Sequence, residues 1–405
     1  MNLMRPALVA LLLPLFLTGC GGGGSDAPQP GSPASAPAQT AATPAYTYTV
    51  PPNQNDGLPV SHAGDAGFAL ESINEIMEEV NSPIYGGVDG IALVYRGQLI
   101  LEEQLRTTLD EHDGIAGNER LDIHSMHSVS KSVMSAVFGI AVEQGYLPDL
   151  DENMYQQFPE YEVQNFDERK AATSIEDFLT MRHGLDWDET SVRYGEPGNS
   201  LTDAWNNCID LVRCLFDLPT IAEPGEEFRY STNATLALSR LVAKQTGLRF
   251  HAYADQVFFA PLGITDYFWG YETGQGWTVS GSALFLRIRD MAKIGQLFLN
   301  EGEWDGQQII SPAWVADSTA LQTRVNPAWG VHGYGYQWWI DRITVGEGQV
   351  QGYSAQGFGG QFIYVFPTLE LVAVFTGSNY GGDENPGRIA DLLRFHILPA
   401  VQSDE

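Results

Sequence analysis

Ser128-Val129-Ser130-Lys131-Ser132-Val133-Met134-Ser135-Ala136-Val137-Phe138-Gly139-Ile140-Ala141-Val142 is apolar on nearly every side once its first turn is passed. A helix without a polar face is a buried one, so 128–144, stopping at Gly145, predicts a helix in the middle of a core. At its head Ser128 and Lys131 stand three apart, which puts hydroxyl and amine on one helix face. Desolvation at the head of a buried element lowers a lysine pKa, and a neutral amine near pH 7 can take a serine proton. The plain alternative is a lysine whose ammonium snorkels to water.

On either side of this helix the pattern changes period. Ile91–Tyr95 and Gln98–Leu105 flank Arg96-Gly97 and read as strand, tight turn and strand. Near the other end Tyr336–Ile340, Gly360–Phe366 and Leu371–Thr376 are rich in aromatic and β-branched residues, with a turn at Pro367–Glu370. Between them Ile175–Met181, Ala234–Thr246 and Ile288–Leu299 carry helical spacing. The expected fold is α/β (α+β): an antiparallel sheet built from both termini and flanked by helices, with a mainly helical insertion. The boundaries are a sheet-containing region at 46–127 and 276–405 and a helical region at 128–275.

The ends and the composition bound the setting. Arg5 followed by the apolar run Ala7–Leu17 reads as an export signal over 1–19, too short to span a bilayer as a mature helix. Leu17-Thr18-Gly19-Cys20 resembles the lipobox of bacterial lipoproteins, which implies lipidation of Cys20 and membrane attachment through that lipid. Residues 20–45 are Gly, Ser, Pro, Ala and Thr, a flexible tether. By the same resemblance, the absence of aspartate at position 21 points to the outer membrane, facing the periplasm. With 51 acidic against 21 basic residues the net charge is −30, which repels nucleic acid and excludes it as a partner. Export leaves Cys208 and Cys214 in an oxidising compartment, a possible disulfide. Six residues along one unbroken helix rise about 9 Å, beyond the roughly 7 Å reach of a disulfide. The pair therefore closes only if Cys208 precedes the helix or the helix is broken.

Two further motifs follow the Ser-x-x-Lys in order: Pro224-Gly225-Glu226-Glu227-Phe228-Arg229-Tyr230-Ser231-Thr232-Asn233, and Gly357-Phe358-Gly359-Gly360-Gln361 at the start of a strand. Together they resemble the motifs of the class C β-lactamase-like serine hydrolases, a superfamily that also holds penicillin-binding proteins, esterases and 6-aminohexanoate-dimer hydrolases. The likeness runs from about Asn55 to Leu398 and takes in 180–185, 289–293 and 334–339. It implies a β-lactamase/transpeptidase-like fold, Ser128 as nucleophile, Lys131 as its proton partner, and Tyr230 as shuttle to the leaving atom, its phenol pKa lowered by the ammonium. It further implies an oxyanion hole from the backbone N–H groups of Ser128 and Gln361, and substrate contacts from Phe358, Gly359, Gly360 and Asn233. Asn233 stands three after Tyr230 where lactamases have Tyr-x-Asn, and Phe358 stands where lactamases have a lysine and other relatives a histidine.

Rival chemistries leave weaker traces. Gly352-Tyr353-Ser354-Ala355-Gln356-Gly357 is one residue too long for Gly-x-Ser-x-Gly. His124 and His127 lack carboxylates at metal-site spacing, and no metal or other cofactor is expected. Trp187, Trp338 and Trp339 are candidates for an acyl pocket. The expected function is a serine hydrolase on small neutral esters through an acyl-enzyme on Ser128. Amide hydrolase, β-lactamase or D-Ala peptidase activity is the alternative on the same residues. A non-catalytic, acyl-binding surface lipoprotein is the alternative of another class.

Overall fold

The structure, a computed structural model, describes residues 46–113, 118–270, 276–380 and 387–402. The expected signal segment, the tether and Cys20 lie outside the described residues.

From the amino-terminal side come β1 (Val88–Tyr95) and β2 (Gln98–Gln104), then the short β3 (Ile123–Ser125), β4 (Phe268–Trp269) and β5 (Leu284–Arg287). A two-residue pair follows, β6 (Glu303–Trp304) and β7 (Gln307–Gln308). The carboxy-terminal side supplies β8 (Thr323–Arg324), β9 (Gly333–Tyr334), β10 (Trp339–Val345), β11 (Gly348–Gly357), β12 (Gln361–Phe366) and β13 (Leu371–Gly377). The main sheet runs β2-β1-β13-β12-β11-β10-β9-β8, every pair antiparallel, and β1 from one terminus pairs with β13 from the other. Arg96 and Gly97 both take positive φ (50° and 74°), the conformation of a two-residue turn whose twist suits a hairpin.

Alternation along these strands builds two cores. Ala92, Val94, Ile363, Val365, Val372 and Val374 face one side, Ile91, Leu93, Tyr364, Phe366, Ala373 and Phe375 the other. The first side packs against α2 (Val129–Glu143) and α9 (Ile288–Leu299), the second against α1 (Leu70–Val80) and the carboxy-terminal helices. Covered on both faces, β1, β12 and β13 are buried throughout, hence the continuous apolar runs in the sequence.

The insertion holds α3 (Glu168–Ala172), α4 (Ile175–Leu179), α5 (Ser200–Asn207), α6 (Leu211–Phe216), α7 (Thr232–Thr246) and α8 (Phe250–Ala254). α2 lies between it and the sheet, touching α7 on one side and β11 and β12 on the other. Ser231 caps α7 by accepting from Ala234 N, and Gly247, left-handed at φ 73°, ends it. Cys208 closes α5 and Cys214 lies in α6; the break between the helices brings their Cα atoms to 6.3 Å and the two form a disulfide. The expected strand at Tyr336–Ile340 instead begins at Trp339. Gln337 takes a left-handed φ of 66° while its side chain accepts from Thr235 and donates to Leu179 O, so the chain turns there.

Gly139 gives the central helix a close neighbour. A Cβ on it would sit 2.3 Å from the Trp314 indole, carried by α10 (Pro312–Ser318). Gly139→Ala is expected to destabilise the fold by about 1–3 kcal/mol through overpacking, despite the better helix propensity of alanine. Urea unfolding checks this, and an unchanged midpoint would show that the indole shifts freely.

Candidate active site

Ser128 is the N-cap residue of α2, and its hydroxyl makes no capping bond, so it is free for other partners. Lys131, one turn on and 1% exposed, places Nζ 3.0 Å from Ser128 Oγ, 3.0 Å from Thr232 Oγ1 and 2.8 Å from the carbonyl of Gly281. The amine does not reach water. Burial draws its pKa down to about 8, partly opposed by the negative charge of Glu189.

Tyr230, just before the α7 cap, holds its ring 4.8 Å from Lys131 Nζ and stacks on Trp339. Its hydroxyl is bonded to the Ser128 side chain. The expected lowering of the phenol pKa is corrected. Burial and the charge of Glu189 raise it well above the ordinary value, and the bond to Ser128 offsets this only in part. Tyr230 is a neutral hydroxyl at physiological pH, suited to giving a proton rather than taking one first.

These groups open into a cavity of about 650 Å³ whose walls include Ser128, Tyr194, Tyr230, Trp339 and Phe358. Phe358, 39% exposed, meets His127, Tyr194 and Tyr380 ring to ring, an aromatic wall beside the nucleophile. The cavity wall also carries two exposed arginines, Arg342 on β10 and Arg394, cations the motif at Phe358 gave no sign of.

Several expected placements are not met. Gln361 is not on the cavity wall: it is fully buried, and its side chain is bonded to the backbone of Gly377. Gly359 and Gly360, at φ 85° and 103°, form the turn between β11 and β12, and their open sides face Tyr380 and Ile389. The close approach is made at Gly357, where a Cβ would lie 2.3 Å from the carbonyl of Met126. Gly360 N–H donates to Gly357 O, so the polar groups of Gly357 face β12, and those of Gln356 face the other way. There β10 has stopped, its last pair being Trp339 with Ser354, and Gln356, Gly357 and Phe358 line the cavity together with Ser128.

Asn233 is likewise away from the wall, buried in α7 with its amide donated to Leu211 O. Thr232 is the residue two after Tyr230 and touches Lys131, so the Tyr-x-Asn spacing is filled by a threonine. Of the tryptophans only Trp339 lines the cavity; Trp338 packs on Phe298 in the core, and Trp187 donates to Glu189. His124 and His127 do not converge: His124 bonds Gln104, His127 bonds Tyr380, and burial holds both near a pKa of about 3. Glu189, 1% exposed, sequence reading missed altogether; it stands in a loop without motif or periodicity.

An antiparallel sheet with helices beside it and a buried serine–lysine pair at the head of the central helix defines the β-lactamase/transpeptidase-type fold. Residues 89–395 match the family model described as Beta-lactamase, and the chain belongs to that family of serine hydrolases. The 6-aminohexanoate-dimer hydrolase of Paenarthrobacter ureafaciens is 25% identical over 299 residues, 70% of each chain. Among solved structures, a Bacillus anthracis chain provisionally named as a 6-aminohexanoate-dimer hydrolase is similar at a TM-score of 0.64 (20% identity, 81% of this chain, 82% of that one). A family VIII carboxylesterase is similar at 0.62 (15% identity, 83% and 97%). These structural likenesses concern the fold.

If Lys131 accepts the serine proton, only its neutral form works. As pH rises through about 8 that form grows, so kcat/KM for Ser128-dependent hydrolysis is expected to climb through that region. A pH–rate profile checks this; a plateau already complete at pH 6 would mean another base.

Proposed function

We propose that the chain is a serine hydrolase working through an acyl-enzyme on Ser128, with small neutral esters as its best substrates. The observation that supports it most is the buried Lys131 amine 3.0 Å from a Ser128 hydroxyl that opens on the cavity. In this reading Ser128 Oγ attacks the ester carbonyl while Lys131 takes its proton. The carbonyl oxygen gains charge and is met by the N–H of Ser128, at the positive end of α2, and by a backbone N–H of the cavity-lining segment 356–358 at the end of β11. Tyr230 gives its proton to the departing alkoxide and is reprotonated from Lys131. Water then repeats the sequence on the acyl-enzyme, releasing the acid and freeing Ser128.

The ester preference rests on Phe358 and the rings around it, a wall that itself offers no charge to a substrate carboxylate. Arg342 and Arg394 also line the cavity, Arg342 three residues beyond Trp339 on β10. Amide cleavage is the second reading, favoured by the likeness to the Paenarthrobacter ureafaciens enzyme.

Nitrophenyl butyrate is expected to be turned over at least about 10²-fold more efficiently than nitrocefin, the scale of one lost charge-assisted contact. Ser128→Ala should abolish both the turnover and labelling by a fluorophosphonate, seen by intact mass. Efficient nitrocefin hydrolysis beside negligible esterase activity would reverse the assignment.

Attachment to the outer membrane through a lipid on Cys20 belongs to the same proposal, supported by the lipobox-like Leu17-Thr18-Gly19-Cys20. Cys20→Ala is expected to move the protein from the membrane to the soluble fraction. Retention in salt-washed membranes would refute the anchor.

A further inference from the structure

Glu189 is a buried carboxylate to which the serine-hydrolase reading assigns no step. Its Oε2 accepts from Trp187 Nε1 (2.9 Å) and from the backbone N–H of Thr232 (2.8 Å). Its Oε1 accepts from the Thr232 hydroxyl (2.8 Å). Because that hydroxyl proton is committed to Glu189, Thr232 Oγ1 presents lone pairs to Lys131, 3.0 Å away, and must receive an N–H from it. The Gly281 carbonyl, an acceptor only, takes a second N–H at 2.8 Å. Two of the tetrahedral positions on Nζ beyond its carbon are thereby fixed. The third points at Ser128 Oγ, as an N–H in the ammonium and as a lone pair in the neutral amine.

We infer that Glu189 is a positioning residue for catalysis: through the Thr232 hydroxyl it holds the Lys131 amine with its free position aimed at Ser128. This rests on the serine-hydrolase reading. Without Glu189 the threonine proton is free to swing toward Lys131, and the amine then loses an acceptor and its orientation. The carboxylate has a second consequence through charge. The groups facing Lys131 are Ser128 and His127 at its own helix head, Tyr230 and Thr232 at the start of α7, the Gly281 carbonyl and, through Thr232, Glu189. Burial raises the pKa of Glu189 itself, against which Lys131 and the donors from Thr232 and Trp187 act. His127 is held neutral by burial and Tyr230 is neutral, so it is the ionised form of Glu189 that supplies the negative charge favouring the ammonium.

The test is a pair of substitutions read by pH profile. In Glu189→Gln the charge is gone and the amide NH₂ donates to Thr232 Oγ1 in competition with Lys131. The rising limb of kcat/KM is expected to move down by about one pH unit, and the plateau kcat to fall about tenfold with KM within about twofold. Thr232→Val removes the relay but keeps the charge, so kcat should fall by a similar factor, and Thr232→Ser, which retains the hydroxyl, should recover most of it. Thermal melts accompany each variant, and if Glu189→Gln does not fold, the Val/Ser contrast at 232 decides. A limb and plateau unchanged in Glu189→Gln, or equal rates in Thr232→Val and Thr232→Ser, would reduce Glu189 to a structural anchor of its loop. Ser128→Ala serves as the reference: residual turnover there takes down the hydrolase reading and this one with it. An inactive Ser128→Ala beside wild-type-like relay variants takes down only the relay.

Discussion

Lys131 keeps an ionisable amine at 1% exposure in the heart of the molecule, and much of the surrounding structure answers to that constraint. An ammonium taken out of water costs several kcal/mol unless it is paired or fully hydrogen-bonded. Here three oxygens from three separate parts of the chain meet it, Ser128, Thr232 and Gly281. The nearest negative charge, Glu189, is placed one hydroxyl away rather than in direct contact. The result is an amine buried enough to lose its proton near neutrality and yet held by enough acceptors to keep its place. Direct pairing with a carboxylate would have held the proton on the nitrogen.

Holding those oxygens in register explains several local choices. Ser231 caps α7 immediately beside Thr232, so the start of the helix is fixed where its hydroxyl is needed. Gly281 lies so close to Thr232 that a Cβ would come within 2.8 Å of its methyl group. Gly357 does the same on the other side of the nucleophile, letting the end of β11 rest against the backbone at Met126. The two-sided burial of the sheet gives these contacts a stiff base, since β12 cannot slip by one residue without exchanging the side chains that fill the two cores.

Around this polar centre the cavity is aromatic. Phe358 replaces a cation with a ring, and its neighbours His127, Tyr194 and Tyr380 extend the surface. On the same cavity wall, Arg342 and Arg394 place positive charge in a chain of net charge −30.

The hydrophobic period alone was enough to locate the central helix, the β1–β2 hairpin, β12 and β13, because local propensity and burial agree there, whereas β10 was placed only at its start and β11 was not read at all. The spacing of Ser128 and Lys131 was likewise legible, since three residues on a helix fix a contact without help from the rest of the chain. What the string could not decide was which residues from distant loops complete the site. Gln361 and Asn233 sit inside recognisable motifs, yet the turn at Gly359 and Gly360 and the inward face of α7 carry both into the core. Thr232, Gly281 and Glu189 take their places only because a helix start and two loops converge in space. A sequence records periodicity and spacing along the chain; the acceptors of a buried amine, or the neighbour of a buried carboxylate, are set by packing between segments far apart in it.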